Sequence, residues 1–192
     1  MQLYLNPKTA MECPKDYAVI NVKEEPQYTV GAGPSIVSPE LLFENKDKSV
    51  SYCFRRLLSI GKPEFQLLGR TKFHKKYTPI SYHCLMEVRK NKKGTLVFLY
   101  SDLRYAYTLS GNAADLSFTL SQGGTVLGTV KKDKVKFLVK HKVKDEKTGE
   151  EKEEEKEEEK EAYILETATE EGMPFFAAAV AFIDYICHGT FS

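Results

Sequence analysis

Glu171-Gly-Met-Pro-Phe-Phe-Ala-Ala-Ala-Val-Ala-Phe-Ile-Asp-Tyr-Ile-Cys-His-Gly189 carries the strongest structural signal in the chain. Pro174 suits the first helical position and Gly189 the residue just past the end. The alanines at 177, 178 and 179 favour helix, so the spacing predicts a helix over 174–188. Apart from Asp184, every residue in it is apolar or aromatic until His188. A helix that is apolar on all sides has to be buried on all sides. Residues 174–188 rise only about 22 Å, whereas a bilayer needs ~20 residues to cross. The helix is therefore expected in the middle of the protein, with Phe175, Phe176, Val180, Phe182, Ile183 and Ile186 as its core side chains. A membrane-anchoring tail is the competing reading. Asp184 is expected to bond backbone groups or a Tyr hydroxyl of the surrounding strands in preference to doing chemistry.

Working outward from the helix, the chain reads as short strands separated by turn signals. Strand signals fall at Tyr17–Val22, Leu41–Phe43, Ser49–Phe54, Glu64–Leu68, Ser81–Val88 and Thr95–Tyr100. They continue at Arg104–Leu109, Leu116–Leu120, Thr125–Val130, Val135–Val139 and Ala162–Thr167. Asn91-Lys-Lys-Gly94 and Ser121-Gln-Gly-Gly124 are turns. Eleven Tyr and 11 Phe with no Trp suit strands better than helices. Residues 1–15, with Pro7 and Pro14, read as an extended lead-in. Pro26, Gly31, Gly33, Pro34 and Pro39 mark a loop-rich region. Residues 16–192 read as one domain, mainly β: a closed antiparallel barrel of about twelve strands around the C-terminal helix.

Charge is segregated along the chain. The net value is +1, yet Glu150 to Glu161 holds nine Glu and three Lys. Arg55 to Lys93 holds eleven Lys or Arg against two acids, and Lys131 to Lys144 seven against one. The Lys/Glu run at 144–161 has no apolar residue between Val143 and Ala162, so it reads as a solvated loop inserted between two strands. It lacks the turn glycine and ligand order of a calcium loop. Cys13, Cys53, Cys84 and Cys187 form no CxxC pair, and with the four histidines they lack zinc spacing. No signal peptide is read at Met1, so the thiols are expected reduced in a cytoplasmic protein, with cytoskeleton or membrane association as the extension.

The segment Tyr105 to Gly189 resembles the second half of a LURP-one-related protein, a relative of the phospholipid scramblases and the Tubby C-terminal domain. The residues that carry the resemblance are a Gly-turn hairpin with a basic exit (Leu116 to Lys132), the strand Tyr163-Ile-Leu-Glu-Thr167, and the apolar helix with Phe182-Ile-Asp-Tyr-Ile186. The likeness is good over about the last 85 residues and looser over Leu41 to Phe54. It implies a twelve-stranded barrel wrapped around a hydrophobic central helix. Two departures stand out: the Lys/Glu run, and Glu166-Thr-Ala-Thr-Glu-Glu-Gly172 where scramblases carry an Asp-rich segment. The second weakens any carry-over of calcium-dependent scrambling.

No GxxxxGK[ST], GxSxG or HExxH motif occurs. The expectation is a non-enzymatic structural or adaptor module within a larger assembly, with a protein partner and no cofactor or metal. The alternative is a phosphoinositide- or membrane-surface binding module, with scramblase-like lipid transfer a distant third. Candidate contacts to anionic lipid headgroups are Arg70, Lys72, Lys75, Lys76, Lys131, Lys132 and Lys134, since clustered lysines near an anionic surface contribute about 1 kcal/mol each. Tyr105 and Tyr107 are expected at the core or rim of the barrel. Their interleaving with basic residues is too sparse for a nucleic-acid platform, so nucleic acid is not an expected partner.

Overall fold

The computed structural model describes residues 1–5, 18–32, 40–49, 51–57, 64–70, 84–92, 94–100, 107–112, 117–144 and 151–188. These form a mainly β protein with one C-terminal helix. The strands are β1 (Gln2–Leu5), β2 (Ala18–Ile20), β3 (Pro26–Ala32), β4 (Glu40–Asn45), β5 (Ser51–Leu57) and β6 (Glu64–Arg70). They continue as β7 (Cys84–Asn91), β8 (Gly94–Tyr100), β9 (Tyr107–Asn112), β10 (Ser117–Gln122), β11 (Thr125–Lys144) and β12 (Glu151–Thr167). The helix, α1, is Met173–His188.

All the pairings are antiparallel. The hydrogen-bonded order is β1-β12-β11-β10-β9-β8-β7-β6-β5-β4-β3-β2. β1 also pairs with β2, through Tyr4↔Ile20 and Leu5↔Val19, while its other edge pairs with β12 through Leu3↔Leu165. Most neighbours in this order are neighbours in sequence. Gly123 and Gly124 both have positive φ, 55° and 86°, which gives the β10–β11 turn the twist that tight hairpins favour.

Alternation decides which side chains face the helix. Leu3 and Leu5, Val19, Val30, Leu41 and Phe43, Phe54, Phe65 and Leu67 join one apolar core with Leu109, Phe118, Leu120, Val130, Tyr163 and Leu165. Met173 and residues 176–183 of α1 complete it, each at most 1% exposed. Strands from both halves of the order thus contribute to the surroundings of α1. Phe182 stacks on Phe54 at 4.8 Å and meets Phe43 edge-on at 6.2 Å. Gly128 lets the helix approach β11: a Cβ there would lie 3.3 Å from the Phe176 ring and 3.0 Å from the Glu166 carbonyl oxygen. The start of α1 is tied by Met173 N–H to Glu170 O (3.2 Å) and Phe176 N–H to Gly172 O (3.1 Å).

Four features differ from the sequence reading. The lead-in contains β1, whose Leu3 and Leu5 are buried in the core while Tyr4 faces the other way. The loop-rich region contains β3, because Tyr28 and Val30 provide inward positions that outweigh Pro26 and Gly31. The strands expected at Thr125–Val130 and Val135–Val139 are one continuous strand, β11. The Lys/Glu run is not a loop over 151–161 but the first part of β12, laddered to β11 from Gly128↔Thr167 out to Lys144↔Glu151. Its strand signal lay in complementary charges across the ladder, which a search for apolar alternation does not detect.

Candidate functional site

Among the described residues, β10 pairs with β11 as far as Phe118↔Val130, and β1 with β12 over Tyr163 to Glu166. Beyond those residues β11 and β12 continue as a two-stranded arm. One of its faces is sorted by strand. Lys132, Lys134, Lys136, Lys140, Lys142 and Lys144 alternate along β11, interrupted by Leu138. Opposite them, β12 carries Glu at every odd position from 151 to 161.

The ion pairs run along one diagonal. Lys134 stands directly opposite Glu161 but bonds Glu159 at 3.0 Å; Lys136 stands opposite Glu159 but meets Glu157 at 3.3 Å. Lys132 reaches Glu161 (2.7 Å) and Lys140 reaches Glu153 (3.6 Å) in the same way, each two residues nearer the tip than its direct partner. This common hand is what the twist of a two-stranded ribbon produces. Glu159 raises the Lys134 pKa above its ordinary value by accepting its hydrogen bond and by its charge.

The other face docks the base of the arm onto the main sheet. Phe137 is 2% exposed and meets Tyr4 edge-on at 5.3 Å. With Ala162 these form a second, smaller core, joined by Ile20, Val135, Val139 and Ile164. The turn after β2 fastens it: Leu138 N–H donates to Val22 O at 2.9 Å, and Lys160 Nζ donates to Glu24 Oε1 at 2.6 Å. Glu24 can hold this place because it takes a φ of 57°, while Asn21 Oδ1 accepts the N–H groups of Lys23 (2.9 Å) and Glu25 (3.0 Å). Glu24, then Glu158, raise the Lys160 pKa. Lys160, and after it His141 at 2.8 Å, lower that of Glu158.

Of the expected anion contacts, Lys131, Lys132 and Lys134 lie on β11 at the root of the arm. Lys132 and Lys134 are engaged by Glu161 and Glu159, and Lys131 lies 3.9 Å from Asp133. Arg70 ends β6, but its side chain, like all of Lys72, Lys75 and Lys76, lies outside the described residues. Arg55, from the same basic stretch, directs Nε (2.9 Å) and Nη2 (2.7 Å) at Gln66 Oε1. Of the expected core side chains, Phe176, Val180, Phe182 and Ile183 are buried as read. Phe175 is half-buried and packs against Tyr52 and Tyr107, at 6.3 and 5.5 Å. The Ile186 side chain lies outside the described residues, as does Tyr105.

Asp184 is 1% exposed. Burial, then the Asp184 charge, pushes the Tyr163 phenol up to about 12. The Cys53 thiol is likewise pushed up to about 12, by burial first and Glu40 second, which keeps it protonated and unreactive. A cleft of about 410 Å³ opens beside Met1, Gln2, Val126 to Thr129 and Glu166 to Ala168. Gln2 and the Glu166 carboxylate hydrogen-bond across it. Among the described residues no helix is long and apolar enough to cross a membrane. Comparison with family models, curated proteins and solved structures finds no match.

Proposed function

We propose that the chain is a non-enzymatic structural or adaptor module of Tubby-like, LURP-one-like fold, and that the β11–β12 arm is its contact element. The pairing of β1 with both β2 and β12, and the burial of α1, support reading the sheet as a closed barrel filled by its own helix. A space filled by packed side chains has no room for a lumenal substrate. The observation that carries the reading is the arm itself. It extends past the main sheet, is pinned at its base by Phe137, and presents charged side chains that add nothing to the main core. Exposed ion pairs contribute little to stability, so a ladder of them is better explained by recognition than by folding.

Binding of phosphoinositide headgroups at Lys131, Lys132 and Lys134 would have to compete with Glu161, Glu159 and Asp133. The expected setting is cytoplasmic. The test is affinity capture with the full chain and with a variant whose residues 140–155 are replaced by Asn-Gly, alongside liposome flotation at low and high salt. The reading predicts protein partners that are lost with the arm and no flotation. Partners unaffected by the replacement, or salt-sensitive flotation with phosphoinositide liposomes, would replace it.

A further inference from the structure

The two edges of the arm are not equivalent. On β11 the edge turned away from β12 meets Val22 at Leu138. On β12 the corresponding edge is met, among the described residues, by β1 at Tyr163 to Glu166, and the Lys160 side chain bonds Glu24. From Glu151 to Glu157, among the described residues, no strand pairs with that outer edge of β12. An open edge offers a row of backbone N–H and C=O groups to any extended chain. Charge then selects the chain. β12 holds eight Glu and three Lys between 151 and 161, and one of its faces is Glu at every second residue. A carboxylate has two oxygens, so Glu153 and Glu157, which pair with Lys140 and Lys136, can each accept a second cation. Like charges directly opposite one another across a ladder repel, and opposite charges attract.

We propose that the outer edge of β12, between Glu151 and Glu157, takes up an extended basic segment of a partner protein as a third strand of the arm. The segment carries Lys or Arg at every second position, so that the glutamates lie between two rows of cations. The β11–β12 ladder is the precedent on this molecule, since there a strand of alternating lysines already fits this strand of glutamates in antiparallel register. A second copy of the chain fits less well. Pairing two β12 edges sets Glu against Glu. Pairing β11 of one copy antiparallel to β12 of another brings whole bodies together at about two strand spacings, ~10 Å, too close for two sheets each wrapped around a helix.

This inference rests on the reading of the arm as a contact element. It is tested on the full chain by fluorescence anisotropy with a labelled peptide alternating Lys and Thr, of about the length of the open edge. Three controls share its composition or shape: an isomer with its lysines contiguous, a Glu–Thr counterpart, and the alternating peptide N-methylated at every second amide. The alternating peptide is expected to bind at low salt and to weaken at about 1 M, where charges are screened beyond ~3 Å. The contiguous isomer and the N-methylated peptide, which keep all the charge, are expected to bind at least tenfold more weakly, and the Glu–Thr peptide not at all. Glu153→Lys with Glu155→Lys in the full chain is expected to abolish binding. Equal binding of the N-methylated peptide would overturn strand addition, because charge alone would then account for it. Absence of binding by the alternating peptide would also overturn it, while leaving the affinity-capture test of the arm standing.

Discussion

Phe182 shows how one side chain fixes the register of the core. It sits between Phe54 of β5 and Phe43 of β4 with no measurable exposure. Phe182→Ala removes a ring that the surrounding strands cannot collapse to replace, and is expected to cost about 3–5 kcal/mol in chemical denaturation. A cost below about 1 kcal/mol would mean that the ring is not enclosed. Its burial was legible in the sequence because every neighbour on the helix is apolar, leaving no polar face to turn outward. The role of Phe137 was not. It sits in a run of lysines, and only the fold shows that Tyr4 and Ala162, distant in sequence, cover it. Glu24 was equally hidden, since its pairing with Lys160 depends on a turn conformation that few non-glycine residues adopt.

At the scale of the element, the arm is where the sequence reading and the structure part. A run of Lys and Glu without apolar residues cannot build a core, and that argument still holds: past Val139 the described arm has one apolar residue, Val143, which joins neither core cluster. The missed point was pairing. Glu at odd positions of β12 and Lys at even positions of β11 are complementary only once the two strands are antiparallel in this register. Isolated two-stranded ribbons are marginal in water, so the outer arm is expected to open without unfolding the rest. Replacing residues 140–155 by Asn-Gly should shift the melting temperature by only a few degrees (about 1 kcal/mol or less). Loss of cooperative melting would show that the tip packs on the sheet.

The arm is also expected to depend on pH, with opposite signs at the two ends. Glu158 has a lowered folded pKa, so its contribution is present above its unfolded value and lost as pH falls through the folded one. Lys160 and Lys134 have raised pKa values, so theirs is complete below the unfolded value and lost as pH rises through the folded one. The contacts of Glu158, Lys160 and Lys134 at the base of the arm are therefore held between the carboxylate and ammonium ranges. Acidification to about pH 3, past the ordinary Glu value of ~4.3 and towards the lowered folded value of Glu158, should weaken its contacts with Lys160 and His141 at the base of the arm while the core strands remain formed. Scalar couplings and cross-strand contacts in NMR spectra would register this, and an arm unchanged at that pH would show that backbone pairing alone holds it.

For the whole molecule, the arrangement is a wide antiparallel sheet packed on one buried apolar helix, with a charged ribbon leaving it. Fold class and helix burial could be read from the sequence because both follow from hydrophobic pattern. The outer arm could not, because it is made by residues whose main pattern is charge. Hydrogen exchange on the full chain, followed by mass spectrometry, compares these parts in one measurement. Peptides from α1, between Met173 and Tyr185, should exchange slowest of all, through global unfolding alone, and those from Val139 to Lys144 and Glu151 to Lys156 fastest among the strands. Exchange of α1 as rapid as that of the arm would contradict a helix enclosed by the sheet, and with it the reading of the arm as the part left free to make contacts.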